Sequence, residues 1–406
     1  MGHSFGGHRW SVVASAIALA TACILAAEQR PRRLSASYPK VFPDNGITLL
    51  DEWIADLDLS HDGKWLAYPR RDPRDWYMDI WAVRPSGSGR HCLTCDLTAP
   101  AKHRGSVSWH PSGGFVAFSG ENDDVRSRKG DRLAEPGIGL NSNLWVASAD
   151  GSKAWRLTDY ETDVANPRGV VHPHFSPDGK RLGWSGPVDA STVTAGHEWG
   201  EWALFLADFD VQAGVPALKN IRTHQPGDQH SYYQLDDWSA DGKRVLVSAN
   251  PRPGQPVSEQ DIYEYEIDTG TFRALTRTRD WDQFAHYSPS GRQILWASSR
   301  GLNVRFHSIE GVNWRREIKT ELWMMNRDGT GARRLTFFNE SGWRDHAWFR
   351  AKVAEADGVF VADNAFLPDP SRVAVALAYE TKQGQWNSVL AILDLARRAT
   401  IAGPGQ

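Results

Sequence analysis

The sequence predicts an all-β fold, a six-bladed β-propeller of four-stranded antiparallel blades, and three observations carry that prediction. A Ser-Pro-Asp-Gly turn, entered from an aromatic residue and left through basic and then alternating apolar residues, spans Phe175 to Trp184. It recurs at Leu59 to Tyr68, Trp109 to Phe118, Trp238 to Val247 and Tyr287 to Trp296, with a degraded copy at Phe366 to Ala374. A later strand of the unit carries an apolar pair, Ile80-Trp81, Leu144-Trp145, Ile262-Tyr263 or Leu322-Trp323. The unit then ends in Leu-Thr, at Leu93-Thr94, Leu157-Thr158, Leu275-Thr276 and Leu335-Thr336. A tight turn between alternating runs is a hairpin signal, and self-similarity at a fixed spacing marks a repeat architecture. Four antiparallel strands per unit make a propeller blade.

Taken in order, residues 1–27 form an expected signal peptide: Arg9 precedes an apolar run from Trp10 to Ala27, and polar residues follow from Glu28. Cleavage after Ala27 leaves no stable membrane span, and the expected location is outside the cytoplasm, in a periplasm. Cys23, after Ala20-Thr21-Ala22, sits near where a lipoprotein anchor would be, but the pattern is incomplete. Residues 28–46, rich in Pro, Arg and Ser, read as a linker, 47–400 as the propeller and 401–406 as a tail. The last unit has Pro370 in place of the turn glycine and no Leu-Thr strand, so Ile47 to Ile54 is expected to supply its missing strand and close the ring.

The 406 residues carry a formal net charge of −3, so no basic excess points to nucleic acid or anionic lipid. The expectation is a monomer. Cys92-Leu93-Thr94-Cys95 lacks the following His of a haem attachment motif, and two thiolates alone make a poor zinc site. A local disulfide or a pair of inert thiols remains, the bond requiring the strand to bend. Gly2-His3-Ser4-Phe5-Gly6 matches the nucleophile elbow of serine hydrolases, yet no strand precedes it.

The turn, the apolar pair and the Leu-Thr ending resemble the WD40-like repeats of TolB-like propellers and of the amino-terminal propellers of prolyl oligopeptidase-type peptidases. The resemblance runs over residues 47 to 395. It implies the fold; with only a short tail after Leu395, the peptidases' catalytic domain is not expected within these residues, and function must be sought in sites.

Antiparallel pairing places the Ser-Pro-Asp-Gly and Asp-Gly turns on one face and the long connections on the other. Those connections are Gly120 to Ser142, Gly186 to Glu201, Ser299 to Lys319 and Phe337 to Asn364. They bring His197, Glu198, Trp199, Arg305, Trp314, Trp343 and His346 to the second face, where binding residues usually reside. Trp281, Trp348, Trp386, Tyr232 and Tyr233 fall outside the repeat positions and are expected there as exposed aromatic contacts. Two residues before each turn stand Asp58, Ser108, His174, Asp237, His286 and Ala365, a ring expected to line the channel, with His172 sharing the face of His174.

The expected function is that of a non-catalytic binding or scaffold module without a cofactor, engaging a protein or carbohydrate through His172, His174, His230, Asp237, His286, Trp199, Trp343 and His346. The alternative is a divalent-metal-dependent carbohydrate-active enzyme. In that reading His172-Pro173-His174 holds the metal, with His230, His286 or a carboxylate completing the shell. The arrangement is similar to that of oligogalacturonate lyases, with Asn166 and Gly169 where their Gln would be.

Overall fold

The computed structural model describes residues 38–72, 76–125, 139–163, 167–188, 200–227, 231–304, 317–382 and 386–399. The expected signal peptide, Cys23 and the tail lie outside these residues.

Local chemistry makes each turn. In blade three, Ser176 Oγ donates to Asp178 Oδ1 at 2.6 Å and accepts the Arg181 N–H at 3.0 Å, while Asp178 Oδ1 accepts the Lys180 N–H at 3.1 Å. Gly179 completes the turn at a φ of 71°, a conformation that costs a residue with a Cβ energy. Ser60, Asp62 and Gly63 repeat the set in blade one, and Ser239, Asp241 and Gly242 in blade four. The side chains satisfy the backbone locally, so each hairpin closes in its own sequence window.

The Leu-Thr ending has an equally specific cause. Thr94 Oγ1 accepts the Ile80 N–H at 2.9 Å and donates to Asp79 Oδ1 at 2.8 Å, extending the ladder past its last backbone pair. Thr158 does the same with Leu144 and Asn143, and Thr336 with Leu322 and Glu321.

Six sheets result. Blade one is Asp58–Leu59, Leu66–Arg71, Met78–Val83 and His91–Cys92; blade two is Arg104–Trp109, Phe115–Glu121, Ser142–Ser148 and Ala154–Arg156. Blade three is Val171–Phe175, Arg181–Pro187, Trp202–Gln212 and Val215–His224; blade four is Tyr233–Trp238, Arg244–Ala249, Asp261–Glu266 and Thr271–Ala274. Blade five is Asp282–Tyr287, Gln293–Ser298, Glu321–Asn326 and Arg333–Arg334.

Blade six is closed by the amino-terminal segment, as the sequence leads one to expect. Its strands Ala356–Phe366, Arg372–Thr381 and Trp386–Asp394 are joined by Ile47–Glu52, which runs antiparallel to the last with Ile47 opposite Leu393 and Glu52 opposite Val389. Asp51 in the closing strand pairs with Arg70 at 3.2 Å and Arg90 at 3.1 Å of blade one and accepts the Tyr68 hydroxyl at 2.8 Å. The two ends of the ring are therefore pinned by hydrogen bonds and charge.

The expected linker is corrected in part. Lys40–Phe42 is a fifth strand on the outer edge of blade six, and Pro43–Asn45 a 3-10 turn, because Phe42 packs edge-on against Trp348 at 5.4 Å. Apolar residues fill the space between blades: Ala117, Leu144 and Val146 of blade two meet Phe175, Leu182, Trp184 and Phe205 of blade three. Trp184 stacks on Phe205 and is completely buried, worth roughly 1.5–3 kcal/mol for a side chain of this kind.

Candidate functional site

The inner strands bend before they reach the turn. In blades two, three and five, two residues oppose one across the pair, between Gly105 and Ser108, Val171 and His174, and Gln283 and His286. The first extra residue in each is left-handed: Ser106 at a φ of 47°, His172 at 49° and Phe284 at 58°. Such bulges re-aim side chains, so the two-residue rule that put His172 and His174 on one face does not hold. His172 is buried with its ring 5.8 Å from that of Phe284, while His174 is half-buried with its ring 6.1 Å from that of His286.

The innermost strand of a blade has a sheet neighbour on one side only, and the channel residues capture its free backbone N–H groups from the neighbouring blade. Asp58 accepts the Trp109 N–H at 2.6 Å, Ser108 that of Phe175 at 3.2 Å, and Asp237 that of Tyr287 at 2.9 Å. Asp363 closes the ring by accepting the Leu57 N–H at 2.9 Å. Asp363 is a correction to the sequence reading, which named Ala365: the two share a face of the same strand, its pairing unbroken between them, and the earlier one carries the carboxylate.

The electrostatics follow from this crowding. Burial raises Asp58 to about 7, and Asp237 is raised for the same reason. Asp56, also buried and facing the Asp363 charge, rises to about 8, and Asp236 is raised by burial to about 7. Burial depresses His172 to about 4 and takes His174 well below the usual histidine range, with the His286 charge adding to both. For His286 burial also acts downward, but the Asp363 hydrogen bond at 3.1 Å and the charges of Asp363, Asp237 and Asp236 overcome it and raise the imidazole to about 9. The shifts together favour a charged His286 beside neutral His172 and His174, among acids that burial pushes toward their protonated form.

The structure thus gathers His172, His174, Asp237 and His286 in the channel and adds Asp56, Asp236 and Asp363. Asp363 stands two residues before Ala365 with the strand pairing unbroken between them, so ordinary alternation, which the bulge breaks at His172, would have found it. Trp343 and His346 lie apart from the channel, and Trp199, His230, His197, Glu198, Arg305 and Trp314 are outside the described residues. Trp343 stacks face to face on Phe337 at 3.8 Å, and the Arg334 guanidinium lies 4.4 Å from the Phe337 ring.

Phe337 to Asn364 is not a free loop. Its helix, Arg344–Lys352, buries Trp348 and Phe349 against Phe42, Phe338 and Tyr379, and the strand of blade six begins at Ala356. The expectation of exposed aromatics is likewise overturned for Trp281, Trp348, Tyr232 and Tyr233, which are 0%, 6%, 3% and 0% exposed because they fill gaps between blades. The half-exposed pair on the long-loop face is one that the sequence did not reveal. Trp53 and Trp76 meet edge to face at 6.2 Å, each with a left-handed backbone, at φ 65° and 70°.

With the geometry in view, comparison with known proteins gives a consistent fold. No family model matches the chain. It is 35% identical over 138 residues to the Tol-Pal system protein TolB of Anaeromyxobacter dehalogenans, a match covering 34% of this chain and 24% of that protein. The propeller repeats are TolB-like. A second match, 26% identical over 272 residues, is to dipeptidyl-peptidase 5 of Porphyromonas endodontalis and covers 60% of this chain and 37% of that protein. The chain therefore spans about a quarter of the TolB relative and under half of the peptidase. Among solved structures, the TolB-like propeller is similar to a putative TolB from Agrobacterium tumefaciens, with a TM-score of 0.46, 18% identity and coverage of 70% and 81% of the two chains. It is also similar to an oligogalacturonate lyase in complex with manganese, with a TM-score of 0.47, 10% identity and coverage of 89% and 95%. No helix among the described residues is long and apolar enough to cross a membrane.

Proposed function

We propose that the chain is an exported TolB-like propeller that acts without catalysis, binding a protein partner through its long-loop face and channel mouth. The observation that carries this reading is the lacing of the channel. Asp58, Ser108, Asp237 and Asp363 each hold a backbone N–H of the next blade, so these polar channel side chains serve the ring. Binding then falls to the face where Trp53 and Trp76 stand half-exposed, offering a large contact area at small entropic cost. A relative named for a Tol-Pal system favours a protein over a carbohydrate as partner.

The test is an affinity pull-down from envelope extract with wild type and with Trp53→Ser/Trp76→Ser. Loss of a defined partner in the variant is expected, and equal recovery of the same partners sinks the reading. Export is tested separately by amino-terminal sequencing of the secreted-fraction protein, with Glu28 the expected first residue.

A second reading, a divalent ion held by His172, His174, His230 and His286 in a carbohydrate-active enzyme, starts from the nearness of the His174 and His286 rings, 6.1 Å apart, with Asp237 3.9 Å from His286, although these side chains do not form a compact ligand set among the described residues. Metal analysis of purified protein decides: less than about one-tenth of an equivalent, unchanged by His174→Ala, removes it.

A further inference from the structure

We propose that Asp79, Cys92 and Cys95 form a redox-gated site: a disulfide when oxidised and, after two-electron reduction, a dithiolate–carboxylate site for a zinc-class divalent ion. This goes beyond the binding role above and does not depend on it.

The sequence shows two cysteines three apart; the tertiary structure supplies the third donor. Cys92 and Cys95 are bonded to each other, the strand ending at Cys92 so that the chain is free to turn. They flank Leu93-Thr94, and Thr94 is the residue whose hydroxyl fixes Asp79 at 2.8 Å. The repeat thus brings a carboxylate oxygen and both sulfurs within 4.8 Å of one another, the one such group of three among the described residues. Blade one alone places sulfur here. The residues flanking Leu-Thr are Arg156 and Asp159 in blade two, Ala274 and Arg277 in blade four, and Arg334 and Phe337 in blade five.

Three features suit the reduced state. The Cys95 N–H points at Cys92 Sγ at 3.0 Å, a hydrogen bond that strengthens when the sulfur is a thiolate. Asp79 Oδ1 is held by Thr94 and Arg104, which fixes the carboxylate as a metal-bound carboxylate is usually fixed by its neighbours. Cys92 is half-buried and Cys95 exposed, so both reductant and ion have access. A structural purpose for the disulfide is weakly supported, since bridging residues three apart removes little freedom from the unfolded chain.

The chemistry balances with a dithiol as reductant. A partner thiolate attacks one sulfur, the Cys92–Cys95 bond breaks, a mixed disulfide forms, and the second partner thiol resolves it. The partner leaves as its own disulfide and both cysteines gain the electron pair. The ion then binds the two thiolates and Asp79, displacing the thiol protons, with water in the open position.

The probe is cobalt(II), titrated anaerobically into full-length protein carrying Cys23→Ser, after reduction with a phosphine and its removal. We expect a thiolate-to-cobalt absorption band that saturates near one equivalent, is absent from the oxidised protein and is abolished by Cys92→Ser. Asp79→Asn should weaken binding by at least about tenfold, since loss of a ligand exceeds loss of a ligand's neighbour. Asp79→His, which restores a donor if Asn destabilises the blade, should keep the band and shift the d–d spectrum. No band in the reduced protein overturns the proposal. So does unchanged affinity in Asp79→Asn together with an unchanged d–d spectrum in Asp79→His.

Discussion

The carboxylate of Asp237 in blade four accepts the backbone N–H of Tyr287 in blade five at 2.9 Å, while its other neighbour, His286 Nδ1, lies 3.9 Å from the same oxygen. One side chain thereby holds two blades together and shares in the charge balance of the channel. Asp237→Ala leaves the Tyr287 N–H without its acceptor and is expected to cost about 1–3 kcal/mol. Asp237→Asn, which keeps an acceptor oxygen, should cost less. Urea denaturation of both variants checks the order, and equal loss would show that the carboxylate charge rather than the hydrogen bond matters.

The channel makes stability depend on pH with a definite sign. His286 is raised to about 9, so the stability from its pairing with Asp363 is complete below the ordinary histidine value of 6.5 and is lost as pH climbs through 9. Asp56, Asp58 and Asp236, raised by burial to about 8, 7 and 7, bind protons more tightly in the folded state and push the same way over that range. The unfolding free energy is expected to fall by several kcal/mol, on the order of 5, between pH 6.5 and 9. Asp363→Asn should flatten that slope, as read from denaturation curves at the two pH values.

Ring closure concentrates risk at Asp51. It is 1% exposed and compensates Arg70, itself buried, and Arg90. Asp51→Ala strands a buried guanidinium and should destabilise by about 3–5 kcal/mol, seen as a fall in the thermal midpoint.

The closing strand also carries core. Leu49 is 2% exposed and lies opposite Ala391 in the cluster that holds Trp281 and Phe338. Leu49→Ala is expected to cost about 2–5 kcal/mol by chemical denaturation. A loss under about 1 kcal/mol would mean that blade six closes without this strand.

By itself the sequence determined the blades. The Ser-Pro-Asp-Gly turns and the Leu-Thr endings are satisfied by residues within a few positions or within one blade, as Ser176, Asp178 and Thr94 show, so their chemistry is written in short windows. Closure by Ile47–Glu52 was also legible, because a blade short of a strand exposes an edge that some other segment must cover. Only the tertiary structure decided the channel and the surface. The bulges at Ser106, His172 and Phe284 break the alternation from which side-chain direction is read, and the N–H groups that Asp58, Asp237 and Asp363 satisfy belong to another blade. Trp348 and Tyr233 look like free aromatics in the sequence but are buried by partners far along the chain. Asp79 beside Cys92 and Cys95 is the same kind of fact: composition names the donors, and the ladder between strands sets how close they come.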